Sequence, residues 1–172
     1  ETKKMGESFS KILSGGDVIF LSGELGGGKT TFISGIAEGL KVKGNVSSPS
    51  FTLISIYDFI KDKIKLKMIH CDLYRISNFN EIFDIGIEEY IHDLKSTVFI
   101  EWGSFLKKKI PAKYLEIIFE YLIDDAIEEE NYSALNQKRK ITFSAKSPYW
   151  KQKLKLFKSE NLHETQVNTI IK

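Results

Sequence analysis

The chain predicts an α/β fold, a mixed central sheet flanked by helices, and three observations predict it. Gly23-Glu24-Leu25-Gly26-Gly27-Gly28-Lys29-Thr30 fits G-x-x-x-x-G-K-[ST], the spacing of a phosphate-binding (P-) loop. An apolar run from Asp17 to Ser22, bounded by glycines, precedes it as a buried parallel strand should. Phe32, Ile33, Ile36, Ala37 and Leu40 follow at helical spacing, with Gly39 and Gly44 flanking a stop. The loop's chemistry needs strand, loop and helix in that order. Glycines let successive N–H groups turn toward one anion, and the helix aims its positive end at the same place.

The other elements follow along the chain. Met5, Phe9, Ile12 and Leu13 share one helical face, so 2–14 reads as an amphipathic helix ended by Ser14-Gly15-Gly16. Strand 17–22, the loop and helix 30–40 come next, then a loop of small polar residues from Val46 to Pro49. Residues 51–59 and 65–73 read as strands, with a hairpin at Lys61-Asp62-Lys63. Asn78 reads as a helix cap, with Glu81 near its third position. Ile82, Phe83, Ile85, Ile87, Tyr90 and Ile91 then give one or two short helices, broken at Gly86. Val98-Phe99-Ile100 is an apolar strand ending in Glu101-Trp102. Residues 114–123 and 139–145 alternate as a second antiparallel pair, and the acidic stretch 124–136 reads as a long exposed loop. Trp150, Leu154 and Phe157 fall on one face of a basic C-terminal helix. The expected organisation is one domain, 1–145 with 146–172 as its basic helical extension.

Composition narrows the function classes. A length of 172 residues suits one domain, and 42 % hydrophobic content supports a core. A formal net charge of +2 carries no strong nucleic-acid footprint. Cys71 is the one cysteine, so no internal disulfide forms and a reducing compartment fits. No run approaches the ~20 apolar residues of a membrane span. No secretory signal stands at the start, which opens on Glu1, and the cytoplasm is the expected location. Arg75 and Arg139 are the only arginines, against 23 lysines. Two arginines leave little for the clamp with which phosphoryl-transfer kinases hold two substrates.

The loop assigns further roles. Lys29 brings a point charge to the β/γ-phosphates, and the Thr30 hydroxyl is placed to ligate Mg²⁺. An acid that holds the metal usually sits at the end of a neighbouring strand. Asp72 ends the approach Met68-Ile69-His70-Cys71, and Glu101 ends Val98-Phe99-Ile100. Two such carboxylates at one sheet edge would converge on one metal or one water. Ser47, Ser48, Ser50 and Thr52 around Pro49 suit either a γ-phosphate-sensing switch or an ordinary Ser-rich turn. Trp102 is either a core aromatic or an anchor near the nucleotide. His70 and Cys71 read as packing residues, because no second cysteine or spaced histidine completes a zinc set. Lysines 107–109 and those of the tail read as a solvated basic face rather than an RNA contact.

Five motifs in one order carry a family resemblance. They are Gly-Glu-Leu-Gly-Gly-Gly-Lys-Thr-Thr at 23–31, Ser-Pro-Ser-Phe-Thr-Leu at 48–53, His-Cys-Asp-Leu-Tyr-Arg at 70–75, Gly-Ile-Glu-Glu-Tyr at 86–90 and Ile-Glu-Trp at 100–102. The chain resembles the TsaE (YjeE) family of small bacterial P-loop ATPases, well over 2–103 and loosely over 114–145. The resemblance implies a part in making N6-threonylcarbamoyladenosine at position 37 of tRNAs that read ANN codons. It implies an ATPase partner of a TsaB–TsaD heterodimer, with hydrolysis driving turnover or reset of that complex; contact with tRNA, indirect or direct, is left open. It implies that Glu24, Leu25, Gly26, Gly27, Gly28, Lys29, Thr30 and Thr31 cradle ATP. Thr30 and Glu101 match the family's Mg²⁺ ligands, and Asp72 matches its strand-end acid. Ser50 and Thr52 lie in its switch, and Thr2 and Gly6 match a Thr-x-x-x-Gly near the adenine. Two positions depart from the pattern. Ser50 stands where Thr is usual, keeping the hydroxyl, and Gly103 stands where Pro is frequent.

The resulting reading is a Mg²⁺-dependent ATPase whose Lys29, Asp72 and Glu101 carry the chemistry. No arginine lies in the loop or the switch, so hydrolysis is expected to be slow alone and faster in complex. A small-molecule kinase and a nucleotide-bound scaffold without turnover are the alternatives. A GTPase lacks its Asn-Lys-x-Asp motif here.

Overall fold

The computed structural model of the protein describes residues 1–76, 80–110, 113–122 and 139–161. Its strands are β1 (Val18–Gly23), β2 (Ile54–Lys61), β3 (Ile64–Asp72), β4 (Ser96–Glu101), β5 (Leu115–Tyr121) and β6 (Arg139–Ala145). Its helices are α1 (Thr2–Ser10), α2 (Lys29–Gly39), α3 (Asn80–Ile85), α4 (Ile87–His92) and α5 (Pro148–Asn161), with a short 3-10 helix at Ser104–Lys108.

The strands form one mixed sheet in the order β2-β3-β4-β1-β5-β6. The inner four run parallel, and β2 and β6 pair antiparallel at the edges. The period-two alternation of β1 splits its side chains between two cores. Ile19 and Leu21 join Phe9, Phe32, Ile36, Phe143, Trp150 and Phe157 in one buried cluster, which α1, α2 and α5 cover. Val18 and Phe20 join Ile69, Ile82, Ile87, Ile100 and Leu106 in another, which α3, α4 and the 3-10 helix cover. The expected sheet with helices on both sides is therefore the observed one.

Most expected elements stand where the sequence puts them, and two differ. The first helix stops at Ser10 rather than continuing to 14. Its end tightens through bonds from Ile12 N–H to the Phe9 carbonyl and from Leu13 N–H to the Ser10 carbonyl. The Lys61 ammonium then takes over the freed Lys11 and Leu13 carbonyls at 2.8 and 2.6 Å. Strand β2 begins at Ile54 rather than 51, because Leu53 sits at φ 63°, outside the extended region. Gly86, at φ 69°, separates α3 from α4 as expected. The Asn78 cap, the 124–136 loop and the tail beyond 161 lie outside the described residues. Among the described residues, no helix is long and apolar enough to cross a membrane.

Candidate functional site

Gly23, Gly26 and Gly28 take φ of 129°, 74° and 101°, conformations that side chains resist, and the chain curls there into the start of α2. Lys29 opens that helix with its ammonium turned back into the curl. Nζ donates to the Gly23 and Glu24 carbonyls, each at 2.8 Å, and lies 4.2 Å from the centre of the Trp102 ring. Burial holds its pKa below the ordinary lysine value, while the charges of Glu101 and Asp72 pull it back up.

The two acids are neighbours. Asp72 and Glu101 are register partners at the C-terminal ends of the parallel strands β3 and β4, where ligands of open α/β sheets bind. Both are buried. Glu101 Oε1 accepts the Thr30 hydroxyl at 2.9 Å and also lies 2.9 Å from His70 Nε2. Asp72 faces the serine-rich segment around Pro49. Its Oδ2 accepts the hydroxyls of Ser48 and, at 2.8 Å, Ser50, and its Oδ1 accepts the Tyr74 N–H at 3.1 Å. The two serine hydroxyls are 2.7 Å apart. One acid is thus keyed to the loop threonine and the other to the serines.

Trp102 is no core residue. It takes φ 61°, rare for a bulky side chain, and packs edge-on to Tyr74 at 5.1 Å. Such backbone costs of order 1–3 kcal/mol and concentrates at functional sites. Here it turns the indole out of the β4 line and over Lys29.

Leu25, Gly26, Gly27, Gly28, Lys29, Thr30, Thr31, Ser50, Asp72, Glu101 and Trp102 line a single cleft, joined by Ser48 and Tyr74. Four expected contacts stand apart from its lining. The Glu24 side chain is exposed and only its carbonyl serves the site. Thr52 is exposed and is not part of the lining. Gly6 is buried beneath α2, where a Cβ would stand 2.1 Å from the Phe32 carbonyl oxygen. Its part is close helix packing. Thr2 approaches the loop from outside, its Cγ2 3.4 Å from where a Gly28 Cβ would be. Arg75 lies over Phe51 and Arg139 over Tyr121, and neither lines the cleft.

His70 does more than the expected packing. It is fully buried, as a packing residue is, yet its ring meets Glu101. The signal was present in the alternation of β3: His70 and Asp72, two apart, share a face, and Cys71 points to the opposite core. Cys71 does pack, and burial pushes its thiol pKa up.

A glycine nest at a helix start, facing acids on adjoining strand tips, places the molecule among P-loop nucleotide-binding folds. More narrowly, the chain belongs to the TsaE family, whose model, described as threonylcarbamoyl adenosine biosynthesis protein TsaE, matches residues 1–129. The chain is 35 % identical over 145 residues to the tRNA threonylcarbamoyladenosine biosynthesis protein TsaE of Bacillus subtilis, covering 84 % of this chain and 80 % of that protein. The protein of the same name from Treponema pallidum is 33 % identical over 124 residues, 72 % of this chain and 87 % of that one. The crystal structure of Bacillus subtilis YdiB superposes with a TM-score of 0.68 at 28 % identity, covering 93 % of this chain and 88 % of that one.

Proposed function

We propose that the protein is a Mg²⁺-dependent ATPase that acts with a TsaB–TsaD complex in forming N6-threonylcarbamoyladenosine at position 37 of tRNAs reading ANN codons, in the cytoplasm. The observation that carries this reading is the Thr30–Glu101 hydrogen bond at 2.9 Å beside Lys29. A loop hydroxyl that gives its hydrogen to a strand-tip acid keeps its lone pairs for a cation at the phosphates.

The donors fit magnesium. They are oxygens, which hard cations prefer, and they are few. Among the described residues no group of three or more His, Cys, Asp or Glu forms a metal cage. That suits an ion held by one or two carboxylates together with substrate phosphates. Thr30 and Glu101 would hold the ion, which when bound neutralises phosphate charge.

The chain's own residues divide the remaining work. The loop amides and Lys29 bind the β- and γ-phosphates. Asp72 holds Ser48 and Ser50 against the cleft, so those hydroxyls are placed to sense the γ-phosphate and orient the attacking water. Trp102 covers Lys29 and limits water access to it. Water adds to the γ-phosphorus and passes a proton to a γ-phosphate oxygen, the bond to the β-phosphate oxygen breaks, and ADP and protonated phosphate leave. Both arginines lie over aromatic rings outside the cleft lining. A cationic group from a partner surface would complete the charge stabilisation of the transition state.

The test compares ATP binding and hydrolysis by wild type, Lys29→Ala and Glu101→Ala, with and without TsaB–TsaD, alongside repeated-turnover formation of modified tRNA. We expect Lys29→Ala to weaken ATP binding about tenfold or more, the loss of one charge-assisted bond. Hydrolysis by wild type should rise with the partner. Equal rates with and without it, or unchanged modified tRNA in Lys29→Ala, would overturn the reading.

A further inference from the structure

We propose that His70 is a positioning residue that fixes the Glu101 carboxylate beside Thr30. The inference rests on the magnesium–nucleotide reading of the cleft and adds a residue to it. Glutamate has a long, freely rotating side chain, and Thr30, on α2, is its only hydroxyl partner among the described residues. His70 supplies the second tether from β3, a rigid inner strand, with Nε2 2.9 Å from the same Oε1. The two donors converge on one carboxylate oxygen from a helix and from a strand, which defines the orientation of the group.

The rest of the imidazole supports this role. The ring is fully buried and is not among the residues that line the cleft. Its other nitrogen, Nδ1, is buried without a hydrogen-bond partner. An unpartnered buried polar atom is unfavourable, and an apolar residue at position 70 would avoid it. Packing therefore does not explain a histidine here. The contact with Glu101 does, and it places the hydrogen on Nε2.

The test measures ATP affinity in Mg²⁺ and in EDTA for wild type, His70→Asn and His70→Gln. The shorter Asn amide falls short of Glu101, whereas the Gln amide nitrogen reaches the position of Nε2. We expect His70→Asn to lose about tenfold of the Mg²⁺-dependent gain in affinity, as supporting partners of metal ligands do. Affinity in EDTA should stay unchanged, and His70→Gln should recover most of the loss. Equal weakening in Mg²⁺ and EDTA, a Gln variant as poor as Asn, or no loss in Asn overturns the proposal. Should His70→Asn fail to fold, the ring ¹⁵N spectrum of wild type decides: a hydrogen on Nε2 supports the tether, and one on Nδ1 overturns it. A wild type whose ATP affinity ignores Mg²⁺ is a different result, because it removes the reading of the cleft itself.

Discussion

Lys29 carries a pH dependence with two opposite signs. Its pKa in the folded chain is lowered from 10.5, first by burial, against the pull of Glu101 and Asp72. Between the lowered value and 10.5 the unfolded chain holds more protons at this site than the folded one. The penalty for burying the ammonium is therefore relieved as pH rises through that window, and folding gains there. Nucleotide binding goes the other way, because phosphates need the charged form. ATP affinity should decline as pH rises toward 10.5, starting lower than a free lysine would dictate. Fluorescence titration should find that decline in wild type and not in Lys29→Ala, and a flat wild-type curve contradicts it. At this scale the sequence was informative where spacing maps onto geometry. Lys29 and Thr30 follow from the loop motif, and Asp72 and Glu101 from the ends of apolar runs. The contact of the buried His70 with Glu101 was not legible, because the two stand 31 positions apart on adjacent strands.

Helix α1 lies directly on α2, and glycines set the distance. A Cβ at Gly35 would stand 1.9 Å from the Lys3 carbonyl oxygen, and one at Gly6 2.1 Å from that of Phe32. Both contacts are with backbone, which cannot swing aside. Gly35→Ala should destabilise the fold by about 1–3 kcal/mol, the usual range for overpacking, as read from a urea midpoint. It should also loosen the loop that α2 anchors, so ATP affinity should fall with it. A Gly35→Ala protein of wild-type midpoint would show that the helices have room to part. The β2–β3 hairpin offers the opposite case. Asp62 and Lys63 sit at φ 51° and 65° in a two-residue turn where glycine is favoured. Lys63→Gly should raise stability by up to about 1 kcal/mol. A fall in the denaturation midpoint would mean that the Lys63 side chain does more than its turn position suggests. The hairpin, the strands and the split of α3 from α4 at Gly86 were legible, since each is local chemistry. The early stop of α1 was not, because Lys61 from a distant hairpin finishes that helix.

Across the whole molecule, α5 is locked onto the face of the sheet that α1 and α2 also cover. Asp17, immediately before β1, is buried and accepts three donors: Ser14 N–H at 2.8 Å, the Tyr149 hydroxyl at 2.7 Å and Lys153 Nζ at 2.6 Å. Burial, followed by Asp17, pushes the Tyr149 pKa up. Trp150, Leu154 and Phe157 drive the same helix into the aromatic cluster of Phe9 and Phe143. Lys153→Met would leave the Asp17 charge with two neutral donors. We expect a loss of about 3 kcal/mol, the low end for breaking a buried pair, seen as a lower thermal midpoint. ATP affinity should change little, because the lock lies away from the cleft lining. Unchanged stability would mean that the two neutral donors suffice for the carboxylate.

The sequence by itself determined the phosphate loop, the alternation of strands and helices, the amphipathic face of α5 and the acids at the strand tips. These depend on spacing, and 3.6- and 2-residue periods are written along the chain. Tertiary structure alone decided which acid meets the loop threonine and which meets the serines, that Trp102 turns out over Lys29, and that His70 reaches Glu101. Each of these arises where segments distant in sequence, whether strand, helix or loop, come together. A hydrogen bond forms only when donor and acceptor stand about 3 Å apart, and the packing of the sheet against α2 sets that distance.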